Sequence, residues 1–260
     1  MNIKKAAIGI ASRILRFAGI LLVIYVSMVF YLALTERRNA FPRAITHIEA
    51  EQSIAGKAKP VSCTMEDGAV LGGWTLGDTS NELLLYYPDA NEDAAQFLAE
   101  VQGLPNTGLV TFNYRGSADN KGTPGEETFV PDAASIAVCA AQINGRPPKF
   151  IAGRGVGAIL ATEQADKDNR IILIDPVMSI ADVISEKYRL LYPKFLVRAK
   201  VKISDKKLTT YVGHTNLLFD RKMFGDRSHA FLSFYPRFKA VERGDKPLAD
   251  ALVLLTNDQK

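Results

Sequence analysis

Between Lys149 and Asp175 the chain reads KFIAGRGVGAILATEQADKDNRIILID, an apolar run that turns on alternating glycines and returns through a second apolar run to an acid. Two chemistries fit these residues. Gly153-x-Gly155-x-x-Ala158 satisfies the dinucleotide fingerprint in its Gly-or-Ala form, and Asp175 stands about 20 residues on, where a ribose hydroxyl would be met. The same stretch fits a nucleophile elbow, G-x-S-x-G, as Gly153-Arg154-Gly155-Val156-Gly157, with Gly155 where the serine would stand. Glycine at the apex keeps the strained turn and deletes the Oγ. A dinucleotide turn normally opens the first βα unit of its domain, whereas a hairpin and two strand–helix units precede this one, so the elbow is the favoured reading. The three histidines are His47, His214 and His229. No Cys/His spacing resembles a metal site, so no metal and no cofactor are expected.

Alternating elements must position this turn. KPVSCTMEDGAVLGGWTLG predicts a hairpin about Asp67-Gly68. ELLLYYPDA, GLVTFNYRG, KFIAG, RIILID, KLTTYVG and FKAVER read as strands. EDAAQFLAEVQGL, PDAASIAVCAAQING (ended by Gly145), VGAILATEQADK, FDRKMFGDRSHAFLSF and LADALVLLTN read as helices. Buried strands alternating with helices predict an α/β domain with a mostly parallel sheet covered on both faces. Cys63 and Cys139, each in an apolar run, are read as small core residues rather than as halves of a disulfide.

With 47% apolar residues in 260, the chain can bury one sizeable core. The net charge of +4, from 32 basic and 28 acidic residues, is a near balance without long basic blocks, so no nucleic-acid partner is expected. FAGILLVIYVSMVFYLAL, residues 17–34, is uncharged, as long as a hydrocarbon core requires, and preceded by Lys4, Lys5, Arg13 and Arg16. It predicts a single membrane span after a short basic segment, 1–16, and before a linker, 35–56. A signal peptide is the rival; its apolar region is shorter, and no small-x-small cleavage site precedes TERRNAFPRA. The basic flank predicts the N-terminus inside and the domain, 57–260, outside the cytoplasm, periplasmic in a Gram-negative cell.

From about Lys59 onward the chain resembles the α/β-hydrolase superfamily, in particular its small membrane-anchored serine hydrolases of prolyl-oligopeptidase-like type. FNYRGSADNKGTPGEETFVPDA (112–133) is similar to that family's strand-four motif, and ILIDPVMSIADV to its sixth strand and following turn. The resemblance implies an α/β-hydrolase-like domain with a minimal cap around 183–203. It also implies site positions. The nucleophile falls on Gly155. The acid, three residues beyond a glycine in YVGHTN, falls on Asn216. The histidine turn, ERGDKPLADA, offers Lys246, and the oxyanion loop offers Asp89, a carboxylate that would oppose a developing oxyanion. In an alternative register His229 becomes a fallback base. Asp89, Asp119 and Arg154 are the polar candidates for ligand binding at the strand C-termini, Arg154 toward an anion.

Three functions stay open: a membrane-tethered, catalytically degenerate hydrolase-fold protein that binds a small molecule or a protein, which is favoured; an esterase or peptidase using a non-standard group; and a dinucleotide-binding protein. The aromatic-basic run EKYRLLYPKFLVRAKVK (186–202) either packs as a short cap or lies against a membrane interface.

Overall fold

The computed structural model describes residues 3–257, of which 3–8, 37–39, 190, 223–226 and 228 are described by backbone alone. A long helix, α1 (Ile3–Ala40), and a short one, α2 (Ile48–Ile54), lead into a hairpin of β1 (Lys59–Thr64) and β2 (Val70–Leu76). There follow β3 (Glu82–Tyr87), α3 (Ala94–Val101), β4 (Thr107–Phe112), α4 (Glu126–Asn144), β5 (Phe150–Arg154), α5 (Gly157–Glu163) and β6 (Arg170–Ile174). The chain ends through α6 (Ile180–Tyr188), α7 (Asp205–Thr210), β7 (Thr215–Phe219), α8 (Arg221–Phe234), β8 (Lys239–Glu242) and α9 (Leu248–Asn257).

The strands form one eight-stranded sheet in the order β1-β2-β4-β3-β5-β6-β7-β8. β2 runs antiparallel to both β1 and β4, and the remaining neighbours are parallel. Parallel strands need crossovers, and the crossover helices cover both faces, which is why every residue from Leu83 to Tyr87 is 1% exposed or less. One face carries α4, α5 and the end of α1, with Ile136, Ile159 and Phe231 in its core. The other carries α2, α3 and α9, with Phe97, Leu98 and Leu252. Local signals agree with the path: Asp93 caps α3 in a reciprocal box with Gln96, and Gly145 ends α4 in a left-handed conformation.

Two expectations are corrected. KLTTYVG is not a strand. Ser204 accepts a hydrogen bond from the Lys207 amide and so starts α7, and the seventh strand is the fully buried TNLLF beyond it. An N-cap serine outweighs the β-branched pair Thr209-Thr210 in a segment where only Leu208 is buried. The cysteines are not independent core residues: Cys63 on β1 and Cys139 on α4 form a disulfide, with Cα atoms 5.8 Å apart. α4 packs directly over β1, a neighbour relation that their sequence separation of 76 conceals.

The segment read as a linker packs onto the domain. Phe41 is buried edge-on against Phe129. The Arg43 amide donates to Ala90 O, the Ala44 amide to Ser117 Oγ, and the His47 amide to Asp93. Upstream, buried Glu36 accepts hydrogen bonds from Tyr192 Oη (2.7 Å) and from the amides of Arg198 (2.7 Å) and Ala199 (2.8 Å). Residues 36–47 thus strap together the chain after β6, the loop after β3 and the turn after β4.

Candidate functional site

The strands β3 to β7 point their C-terminal ends at one edge, and the glycine turn sits there between β5 and α5. Close packing accounts for its outer glycines. A Cβ at Gly153 would stand 2.2 Å from Gly157 O, and one at Gly157 would stand 2.1 Å from Tyr87 O. Gly155 takes φ +53°, the left-handed conformation that glycine adopts without steric cost. Its side-chain direction is already filled: a Cβ there would lie 2.0 Å from Asp89 Oδ1. That carboxylate accepts the Val156 amide at 3.0 Å. In an elbow, the amide after the nucleophile is one of the oxyanion donors. Here an internal carboxylate occupies it.

Around Asp89 the polar groups neutralise one another. Arg154 bonds Glu92 Oε1 (2.8 Å) and Glu100 Oε2 (2.9 Å), and Glu92 Oε2 accepts from Tyr86 Oη (2.6 Å) and the Asp89 amide (3.0 Å). Burial pushes the Glu92 carboxyl up, against the pull of Arg154 and the Tyr86 hydroxyl. Arg243, the first residue after β8, reaches Glu100 (3.3 Å) and Asp220 (3.2 Å). Asp220, the first residue after β7, donates its amide to Asp175 Oδ1 at 2.9 Å. A cleft of about 440 Å³ opens beside this network, lined by Asp89, Asn91, Glu92, Gln96, Glu100 and Arg154.

Asp175, the first residue after β6, takes φ +45°, and burial holds its carboxyl at about 6, despite the Asp220 amide and the Arg154 and Arg243 charges that favour ionisation. A carboxyl raised above its unfolded value binds a proton more tightly when folded, so its penalty is absent near pH 4 and grows as pH rises through about 6. Asp175→Asn removes the charge, keeps an acceptor, and suits a left-handed backbone. The variant should be more stable than the wild type by about 1–2 kcal/mol at pH 7.5, with the gap closing toward pH 4. Urea unfolding at several pH values checks this; a gap independent of pH would refute it.

Of the residues nominated from sequence, Gly155, Asp89 and Arg154 come together at the sheet edge. Asn216 does not: it lies buried inside β7, paired with Ile172, because the seventh strand starts later than the sequence suggested. The residue following β7 is Asp220, and the apolar run TNLLF ending on an acid is the signal that was available. Lys246 is exposed beyond β8, Asp119 is exposed on the turn after β4, and His229 is exposed well along α8. His214 precedes β7, at the opposite end of the sheet, and His47 stands at the N-terminal boundary of α2 with its ring 3.3 Å from Asp93. Glu92, Glu100 and Arg243, absent from the sequence-level candidates, complete the network. Nothing in a linear pattern marks them, since their partners come from α3, β5 and the loop after β8.

The sheet order, the elbow and the crossover helices define the α/β-hydrolase fold. The chain is similar to an α/β hydrolase from Vibrio vulnificus, with a TM-score of 0.61 and 17% identity over 88% of this chain and 91% of that one. It is also similar to an esterase of Pyrococcus furiosus (TM-score 0.51, 14% identity, 84% and 94% of the two chains). A third likeness is to a thioesterase domain from the curacin biosynthetic pathway (TM-score 0.52, 11% identity, 78% and 99%). No protein-family model and no curated relative matches the chain. Among the described residues one helix, Gly9–Glu36, with mean hydropathy 2.5, is long and apolar enough to cross a membrane.

Proposed function

We propose that this chain is a single-pass membrane protein whose hydrolase-fold domain performs no acyl transfer and acts by binding a small molecule or a protein. The observation that carries the reading is Asp89. Its carboxylate takes both the space of a nucleophile's side chain and the amide that would stabilise an oxyanion. Acyl transfer needs a nucleophile, a base within reach of it and donors free to meet developing negative charge. At this edge Gly155 supplies no nucleophile, and Arg243 rather than a histidine pairs with the acid after β7. The strap from Glu36 to His47 supports the same reading, since it ties down the loops among which an acyl substrate would enter.

The anchored reading rests on Gly9–Glu36 and its basic flank, and the Cys63–Cys139 disulfide supports a domain on the oxidising side of the membrane. Arg154, already held by two carboxylates, favours a structural part over anion capture. The cleft beside it sets Asn91 and Gln96 among charges already paired with one another, which favours a hydrogen-bonding ligand over an anion.

The test is ester hydrolysis by the full chain in detergent. The wild type should give no turnover of short-chain p-nitrophenyl esters above background. Gly155→Ser should also give none, and should lose about 1–3 kcal/mol, because a side chain at φ +53° displaces the Asp89 carboxylate from the Val156 amide. Gly155→Ser with Asp89→Gly should recover stability relative to Gly155→Ser alone. Steady wild-type turnover that survives repurification and is lost on mutating Asp89 or His229 would overturn the proposal.

A further inference from the structure

A second concavity lies away from the sheet edge, between α1 and the cap. Val23, Ser27, Met28 and Tyr31 of α1, with Tyr188 and Leu191 of the cap, line a groove of about 510 Å³. Its walls are apolar but for three hydroxyls. α6 and the 3-10 turn Arg189–Leu191 pack on α1 to form it.

The depth of this groove follows from the joint above it. Arg198 Nη2 donates to Ala33 O, and Glu36 is clasped by the Arg198 and Ala199 amides, so the cap is fixed to the end of the uncharged run 17–34. From Ala33 back to Val23 is ten residues, about 15 Å along a helix, which is about half of a hydrocarbon core roughly 30 Å thick. The groove therefore runs through the depth of one leaflet. Beside Tyr188 and Leu191 the cap also exposes Lys187 and Arg189, whose long stems let the charges snorkel to the headgroups while the groove itself stays apolar. Leu191 is 38% exposed against the groove, while Phe195 is 84% exposed, between Lys194 and Arg198, whose side chains are 59% and 71% exposed. An aromatic between cations at the end of a span is the pattern of a membrane–water boundary.

We infer that the cap is immersed in the leaflet on the domain's side and that the groove receives an acyl chain of a bilayer phospholipid, with Phe195 at the headgroup boundary. This rests on the reading of residues 17–34 as a span. The groove is lined by the span itself, so whatever solvates the helix at that depth also fills the groove, and in a bilayer that is hydrocarbon.

The experiment uses the full chain in vesicles of phosphatidylcholine and phosphatidylglycerol, with Trp74→Phe removing the one native tryptophan. Leu191→Trp, Phe195→Trp and, as a remote exposed control, Val70→Trp are made in that background. Phospholipid brominated at mid-chain should reduce L191W fluorescence at least twofold, reduce F195W less, and leave V70W unchanged. Equal emission from L191W with and without bromine, in chain that floats with the vesicles, would overturn the groove and leave the span. Chain that fails to float would remove the span and the groove together.

Discussion

Reduction of the Cys63–Cys139 disulfide, or its replacement by two alanines, should cost this protein about 4.5 kcal/mol, because the bridge closes a loop of 76 residues in the unfolded chain. The chain-entropy model gives that figure, and measured losses for native bridges run from about 2 to 5 kcal/mol. At about 2–4 °C per kcal/mol for a domain of this size, the midpoint of thermal unfolding should fall by roughly 10–15 °C. The location of the bridge sharpens the expectation. β1 is the edge of the sheet, bonded on one side only to β2, and α4 is the helix laid over it. Without the bridge the hairpin should be the first part to exchange amide hydrogens. Thermal scans with and without reductant, with hydrogen exchange resolved over residues 59–76, check this; an unchanged midpoint would refute it.

Arg115→Ala should be the most damaging single substitution outside the apolar core. Arg115 is 7% exposed and forks onto two carboxylates. Its Nε and Nη2 meet Asp132 at 2.5 and 2.8 Å, and its Nη1 and Nη2 meet Asp67 at 2.7 and 2.8 Å. It thereby joins the hairpin turn, the end of β4 and α4. Removing it leaves the buried Asp132 carboxylate without its cation, which costs about 3 kcal/mol. Asp67 is largely exposed, and water replaces most of what it loses. Arg115→Lys should rescue only part, since one ammonium cannot span both forks. Arg115→Ala with Asp132→Ala should be more stable than Arg115→Ala alone. Chemical denaturation of the wild type, Arg115→Ala, Asp132→Ala and the double variant forms the cycle, and additive losses would show that the pair is not coupled. The FNYRG motif thus carries a structural clamp.

The two arguments share a lesson about what a linear pattern holds. Periodicity and turn chemistry made the α/β order legible, because an apolar strand such as ELLLYY, a capped helix such as Ala94–Val101 and the Asp67-Gly68 turn are local events. The glycine turn was legible for the same reason. Its spacing alone told of a close strand–helix crossing, and the contacts of Gly153 and Gly157 with carbonyl oxygens supply the cause. Where two local signals competed, the cap outweighed the β-branched residues. The threonines of KLTTYVG suggested a strand, the Ser204 cap made a helix, and the displaced strand put Asn216 inside β7 and Asp220 at its end.

The sequence by itself determined that a long apolar helix precedes an α/β domain and that the strand–helix turn at 153–157 is built on glycines. Each follows from residue type and near-neighbour spacing. Only the tertiary structure decided that Asp89 reaches the Val156 amide, that Arg154 and Arg243 are held by Glu92, Glu100 and Asp220, and that Cys63 meets Cys139. These are contacts between elements far apart in the chain, and a sheet that inserts β3 between β4 and β5 brings them together in an order that the linear pattern does not contain.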